Sequence, residues 1–525
     1  LNLLLNNLLI PIELDGMDEY VRAAAKELEI AATELCITDI LSKSLDMRNK
    51  EQFCYALTVV VRVPDSYPNK QKFPLFIPSL QPDRAGAFMP DRPIVVGFGP
   101  AGMFAALELI AHGIKPLIFE RGKKIEERSI DVQRFIRERE LNPESNIQFG
   151  EGGAGSYSDG KLFSRRNQNT SYVSRVLDTF IKFGAPKEIG YISKPHLGTD
   201  VLCKIVRNIR NYILAKGGEI FYSSKMTDIM IEEDTAIGIV VNGDQEYLSS
   251  NIYLASGHSA RDTYEMLHKK GVALEQRQIA VGVRIEHPVE TINLMRYGNK
   301  YAQFSGLGAA TYSLNYTNKK LRRGAYTFCM CPGGEVINAS SEHGMSVVNG
   351  MSYSRRSSPF SNAAMVVTCH TTDYPSSNPL AGIKFQEAIE RAAFIAGGGN
   401  WRVPAQNLLN FLGETSSTVL PDNSFKMGTA HADMKEILPG FVTEQLLAAF
   451  SSWKKEVPQF FSDQAILLGT ETRTSSPVRI VRNDQYQSVN IKNLYPIGEG
   501  SGYTGGITSS AADAARTVEQ HLSRD

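Results

Sequence analysis

At 525 residues, with 56 basic and 56 acidic side chains and a net charge of zero, the chain is long enough for two or three domains. It carries no charge excess that would draw it to nucleic acid or an anionic membrane surface. Its apolar runs fall short of the roughly eighteen residues needed to span a bilayer, and its six scattered cysteines fit a reducing compartment, the cytoplasm, rather than a disulfide framework. The opening LNLLLNNLLIPIEL is apolar, yet it lacks a basic leader and is broken by Asn6 and Asn7, so it does not read as a signal peptide. Residues 1–90 read as a small α+β domain with its linker: a strand near Leu8–Leu14, a helix over about Met17–Leu28, and strands near Ala31–Leu45 and Phe53–Val63. Lys43, Asp46, Arg48 and Lys50 cluster where the last two strands turn, either as a solvated hairpin end or as a docking or anion contact. Residues 64–92, punctuated by prolines that include Pro78 and Pro82, read as an irregular linker.

The next stretch, RPIVVGFGPAGMFAALELIAHGIKPLIFERG from Arg92 to Gly122, organises the rest. An apolar strand at Ile94–Val96 runs into Gly97, Gly99 and Gly102, a G-x-G-x-x-G that opens a helix, and a second strand delivers Glu120 eighteen positions after Gly102. Each part has a physical task in binding a dinucleotide. Gly97 permits the tight turn, Gly99 lets backbone approach a pyrophosphate, Gly102 lets helix and strand pack, and the diphosphate rests on the helix N-terminus with Pro100 and Ala101 in its first turn. Glu120 is placed to accept from an adenosine ribose.

A charged helix over Lys123–Glu140 leads to a second glycine cluster, FGEGGAGSYSDGKL from Phe149 to Leu162. Its glycines, with the hydroxyls of Ser156, Tyr157 and Ser158, suit a loop whose amides face a polar ligand; a mobile surface loop would be glycine-rich as well. A helix over Thr199–Gly217 follows, then alternating strand patterns, the last ending in LASG with Ser256 and Gly257. From Val272 to Cys369 the pattern is β-rich, with alternation over Ala280–Pro288, and helices return at Ile383–Ala396, Val403–Leu412 and Thr443–Phe450. The chain closes with a strand at Leu494–Ile497, a glycine turn from Gly498 to Gly506 and a small-residue helix from Ile507 onward, a second helix N-terminus able to stabilise negative charge.

These three strand-and-turn units together resemble a flavoprotein with a glutathione-reductase-type FAD-binding domain, with LASG at Leu254–Gly257 as its middle turn and IGEG at Ile497–Gly500 as its last. Glu499 departs from that pattern, which usually has Asp at this position to meet a ribityl hydroxyl. FGEGGAGSYSDGKL, KPHLGTD, TFCMCPGG, ETRTSSPVRI and YPIGEGSGYTGGI resemble, more narrowly, a bacterial family of uncharacterised FAD-dependent dehydrogenases. The resemblance implies an α/β fold: a discontinuous Rossmann-like FAD-binding domain (91–271 and 466–525), an inserted β-rich α+β substrate domain (272–465), and the small N-terminal α+β domain. It implies FAD as cofactor, with the pyrophosphate at Gly97–Gly102, the ribose at Glu120 beside Arg121, and adenine against the backbone of Met226. The isoalloxazine would lie between the Gly153–Lys161 loop and the N-terminus of the Gly505, Gly506, Ile507 helix; Gly152, Ala154 and Ser158 in the second glycine cluster, and Gly498 and Glu499 in the last turn, are the further cofactor contacts that the resemblance implies. Activity is expected as hydride or electron transfer between FAD and an unidentified small molecule; the alternative is a flavin-containing electron carrier, or a non-catalytic FAD-binding protein, acting with a redox partner protein.

Because a flavin carries the chemistry itself, few catalytic side chains are required. Lys161 stands beside the expected ring site, where it would tune the flavin, neutralise a phosphate or pair with Asp159. His258 is an acid–base candidate by residue type, or a cap for the following helix. Tyr503 would cover the ring, donate a proton or simply pack. Cys329 and Cys331 on one strand would share a face as a buried structural pair; C-x-C with no second pair lacks metal-site spacing, and no metal is expected.

Overall fold

The computed structural model describes residues 1–77, 86–162 and 170–523, so Pro78 and Pro82 of the expected linker lie outside the described residues. At the N-terminus, strands Asn2–Pro11, Cys36–Asp46 and Cys54–Arg62 form an antiparallel sheet with the last strand central, and helix Met17–Leu28 packs on it. The first strand begins earlier than its sequence pattern indicates. Its register shifts between Leu5 and Leu8, where Asn7 takes φ +58°, and this bulge returns Leu8 and Ile10 to the face that buries Leu3 and Leu5. The two asparagines that interrupt the apolar pattern are therefore what keeps it in phase. Lys43 leaves the charged turn: its ammonium reaches Asp15 at 2.6 Å and stands 4.2 Å over the Tyr55 ring, while Arg48 pairs with Asp46 in the exposed part.

Five short strands form a parallel sheet in the order Leu494–Pro496, Ile252–Leu254, Ile94–Val96, Leu117–Phe119, Glu219–Phe221. Helices Pro100–Ala111 and Ile507–Leu522 cover one face with an alanine-rich contact, and Val95, Tyr253 and Tyr495 point into it. Ile94, Val96, Ile252 and Leu254 point the other way, toward the small antiparallel sheet of Met226–Glu232, Thr235–Val241 and Gln245–Leu248. Strands buried on both faces explain why these runs are continuously apolar rather than alternating.

A separate seven-stranded sheet takes its strands from the middle of the chain, in the order Asn315–Asn318, Arg323–Cys331, Phe360–Cys369, Ile279–Pro288, Ile466–Glu471, Val403–Asn407, Thr429–His431. Helix Gly440–Glu456 buries Val442, Leu446, Phe450 and Trp453 against Val281, Val283, Ile285 and Met365. The expected helix over Val403–Leu412 is a strand followed by the short helix Leu408–Phe411. All five strand residues are buried, a case that periodicity cannot separate from a buried helix, and Asn407 ends the strand by accepting from the amides of Leu409 and Asn410. The joined helices agree closely with expectation at Ala381–Ala396 and are longer at Gly440–Glu456. No helix among the described residues is long and apolar enough to cross a membrane.

The polar face of Ile279–Pro288 is buried as well. Glu286 accepts from the Ser424 amide at 2.7 Å and shares 2.5 Å with the Ser424 hydroxyl. Burial pushes its carboxyl up to about 7, despite those donors. Because the folded value lies above the ordinary one, the stability this group contributes is complete below about pH 4.5 and is lost as pH rises through 7, about 3 kcal/mol in all. Glu286→Gln, which keeps both bonds without a titratable group, is expected to gain stability relative to the parent at pH 8 and not at pH 4, measured by denaturant midpoints at the two pH values.

Candidate functional site

The carboxyl ends of the central parallel strands converge, and the first glycine turn forms one wall there. Gly97 takes φ +96°, and a Cβ on it would lie 2.3 Å from the Ala255 carbonyl oxygen. A Cβ on Gly102 would lie 1.9 Å from the Gly97 oxygen. Gly99 differs: its φ is −82°, and a Cβ there would meet only Gly153 Cα at 3.5 Å, an ordinary contact. Two of these glycines are therefore demanded by protein packing, whereas Gly99 lies at ordinary contact distance from Gly153. No side chain caps helix Pro100–Ala111, whose first turn holds Pro100 and Ala101, so its amide donors and positive end are left for something else.

Glu120 is buried at 4% exposure, and its carboxylate accepts from the amides of Phe98 at 2.8 Å, Gly122 at 2.9 Å and Gly150 at 3.0 Å. Of about four acceptor directions on a carboxylate, one remains. The acid expected to hold a ribose is thus first a clasp between the two glycine clusters. Arg121 makes paired bonds of 3.0 Å to Asp262, a bond of 2.7 Å to Glu144, and stacks 4.0 Å over Phe149. Beside it opens a cavity of about 370 Å³ lined by Gly122, Lys123, Ser145, Lys225, Thr227 and Asn242 among others. The Met226 side chain is buried beneath the parallel sheet, and its chain neighbours Lys225 and Thr227 line the cavity.

The second glycine cluster is shaped by Arg128, a residue the sequence reading missed. Fully buried, it donates to the carbonyls of Asn146 (2.8 Å), Ile147 (2.9 Å), Gly150 (3.3 Å) and Glu151 (2.7 Å). Its position was available as a signal, because Ile125, Arg128, Val132 and Phe135 fall on one stripe of helix Ile125–Glu138. Gly152 donates to the Phe98 carbonyl at 2.8 Å, joining this loop to the first turn. Gly153 and Ala154 then face outward, while Ser158 and Tyr157 turn inward: the Ser158 hydroxyl donates to Gly155 O at 2.8 Å, and Tyr157 contacts Ser129 and Arg128. Of the hydroxyls expected to meet a ligand, that of Ser158 therefore serves the loop itself and that of Tyr157 the neighbouring helix, whereas Ser156 Oγ is buried without a partner among the described residues.

Asp159 gathers the charged side chains beyond it. Arg356 reaches it at 2.6 Å, Lys161 at 3.1 Å and Ser352 at 2.5 Å. Burial opposes its charge, but Lys161 and Arg356 overcome that and hold Asp159 below the usual carboxylate range. Lys161 also donates to the Met330 carbonyl, so of its expected roles the pairing with Asp159 is the one made within the chain.

At the opposite wall, Gly498 donates to Asp513 Oδ2 at 3.0 Å, and Asp513 is paired with Arg482. A Cβ on Gly500 would lie 2.7 Å from the Gly257 oxygen, so the turn after Leu494–Pro496 interlocks with the turn of Ser256 and Gly257. Glu499 projects from this turn toward His258. Gly505 and Gly506 are exposed, and Gly506, at φ +87°, precedes helix Ile507–Leu522, which no side chain caps. Thr508 donates to Leu162 O at 2.9 Å and Ile507 lies against Gly155, which brings the second glycine cluster alongside that helix start. Tyr503 is held away from free movement, its hydroxyl accepting from the Arg482 amide at 3.0 Å and its ring standing 4.0 Å from the Arg482 guanidinium. His258 caps nothing: helix Arg261–Lys269 starts after Ala260 with no side-chain cap.

Cys329 and Cys331 do not share a face. A bulge between Phe328 and Cys331, with Cys329 at φ +41°, breaks the alternation, leaving Cys329 exposed and Cys331 buried. Among the described residues no group of His, Cys, Asp and Glu could hold a metal ion.

Residues 278–474 match a protein family described as FAD-dependent protein, C-terminal domain-like. The chain is 41% identical over 534 residues to an uncharacterised protein of Clostridium beijerinckii, covering 99% of this chain and 98% of that one. Similar solved structures include the glycerol-3-phosphate dehydrogenase of Bacillus halodurans complexed with FAD (10% identity, 84% of this chain and 65% of that chain, TM-score 0.35). Another is the glycine oxidase of Bacillus cereus (11% identity, 83% and 95%, TM-score 0.30).

Arg128 supports the site through four carbonyls, and its removal leaves them buried without a donor. Arg128→Leu is expected to cost roughly 3 kcal/mol or more. The measurement is the denaturant midpoint, together with faster amide hydrogen exchange at Gly150–Gly153; an unchanged midpoint would contradict the role given to this arginine.

Proposed function

We propose that this chain, which belongs to one family with its Clostridium beijerinckii relative and whose cofactor is FAD, is an FAD-dependent oxidoreductase of the dehydrogenase kind, working in the cytoplasm. The observation that carries the proposal is the meeting of two helix starts without side-chain caps, Pro100–Ala111 and Ile507–Leu522, from distant parts of the chain. The residues there suit FAD: Gly257 and Gly506 have open space where a Cβ would point, and a Cβ on Gly99 would meet only Gly153, at an ordinary 3.5 Å.

In this reading the parallel sheet belongs to a discontinuous FAD-binding domain of glutathione-reductase type, built from residues 91–271 and 466–525. The inserted residues 272–465 hold the substrate, and residues 1–90 form a separate small domain. Amides at Gly99–Gly102 bind the diphosphate, and the remaining acceptor direction of Glu120 takes a ribose hydroxyl. The cavity beside Lys225 and Thr227 receives adenine. Gly153 and Ala154 on one side and Gly505, Gly506 and Ile507 on the other enclose the ring. Bound FAD supplies hydride or electron transfer. The chain's own part is to orient it, to exclude water with the two glycine loops, and to place the positive end of helix Ile507–Leu522 beside it.

Two measurements test this. Anaerobic bleaching of the purified yellow protein by a small organic metabolite is expected for an enzyme, whereas bleaching only by a reduced redox protein would replace this reading with an electron carrier. Gly99→Val is expected to fold and to lose FAD, because a Cβ there meets only an ordinary contact at 3.5 Å. Gly102→Ala is expected to lose the fold, since its Cβ would sit 1.9 Å from an oxygen. Wild-type flavin absorbance per protein in Gly99→Val would refute the placement.

A further inference from the structure

His258 follows Gly257 beyond the strand Ile252–Leu254, and its side chain is only 9% exposed. Neither ring nitrogen has a hydrogen-bond partner among the described residues. Its charged neighbour is Glu499, whose Oε1 lies 3.4 Å from Nδ1 without the alignment of a hydrogen bond. A buried polar group left in this state lowers stability, so its retention calls for a partner outside the polypeptide.

The surroundings say where that partner lies. Gly257, at φ +73°, has open space beyond its Cα, and Gly500 is locked against the Gly257 backbone. His258 and Glu499 therefore stand on the tips of adjacent strands of one parallel sheet, Ile252–Leu254 and Leu494–Pro496. The Gly97–Gly102 turn follows Ile94–Val96, the strand on the other side of Ile252–Leu254. In such a sheet, ligands lie in the crevice outside the carboxyl ends of the strands.

We infer that His258 is a cofactor-positioning residue: its ring, braced by Glu499, donates a hydrogen bond to the ribityl–diphosphate stretch of FAD. The inference rests on the FAD placement proposed above. It assigns His258 neither to helix capping nor to substrate chemistry. The apoprotein then carries an unpartnered imidazole whose loss should not harm it, and only the cofactor should notice.

FAD titration of the apoproteins, followed by quenching of flavin fluorescence, and thermal midpoints of the same apoproteins test this. His258→Leu is expected to raise the Kd for FAD roughly tenfold or more, with an apoprotein midpoint equal to or above the parent's. His258→Gln, which retains an N–H donor, is expected to recover most of the affinity, and Glu499→Gln combined with His258→Leu to be non-additive. Wild-type affinity in His258→Leu would overturn the inference, as would a lowered apoprotein midpoint with no recovery by glutamine, the signature of a merely structural residue. If His258→Leu does not fold, His258→Ala takes its place, and wild-type affinity in that variant overturns the inference. Gly99→Val is titrated in parallel. Wild-type affinity there indicts the FAD placement itself, whereas lost affinity there with wild-type binding by His258→Leu sinks only the role of His258.

Discussion

The buried carboxylate of Glu120 holds the site together. Its three bonds go to Phe98 in the first glycine turn, to Gly122 just after its own strand, and to Gly150 in the second glycine cluster. Glycine-rich loops have the largest conformational entropy to lose, so two of them in register need a fixed common anchor. A carboxylate provides it, because amide bonds to a charged acceptor are stronger than neutral ones. Arg128 completes the arrangement from below by taking the carbonyls that the same loop leaves over.

The C-terminal turn depends on a similar device. Asp513 lies in helix Ile507–Leu522, yet it accepts from Gly498 and from Arg482, so the helix, the turn before it and the strand region before that move as one. Further out, Glu390 of helix Ala381–Ala396 is fully buried between Arg261 and Arg473. Arg261 begins the helix that follows the Gly257 turn, and Arg473 follows the strand Ile466–Glu471 of the seven-stranded sheet. Burial opposes the charge of Glu390, but the two arginines hold its carboxyl down at about 2. Breaking one member would strand a charge in the interior, which makes this cluster a firm link between the parallel sheet and the middle of the chain.

Where sequence patterns and structure part, the cause lies in contacts distant along the chain. The bulge at Cys329 cancels an alternation rule that assumes an unbroken strand. Val403–Asn407 is buried all along, Gln406 and Asn407 included, because it lies between two strands of a sheet, and a short buried run has no period to read. The alternation over Ile279–Pro288 suggests one wet face, but Arg284 pairs with Glu471 and Glu286 with Ser424, so both faces are buried. His258 follows a turn and precedes a helix, a local setting typical of a cap, and only the folded structure shows that it caps nothing and stands beside Glu499 without a hydrogen-bond partner among the described residues.

By itself the sequence determined the local units: Ile94–Val96 with its three glycines, the glycine cluster after Phe149, the turn after Leu254, and the helix from Ile507. Each is legible because strand period, glycine spacing and helix start are properties of neighbouring residues. The resemblance of those units to FAD-dependent proteins agrees with the match over residues 278–474. Tertiary structure alone decided that Glu120 spends most of its acceptors on protein amides, that Ser158 and Tyr157 turn inward, that Met226 is core, and that His258 is left unpartnered beside Glu499. The reason is physical: a side chain's hydrogen-bond partners are set by which distant backbone groups lack one, and that count exists only once the chain is folded.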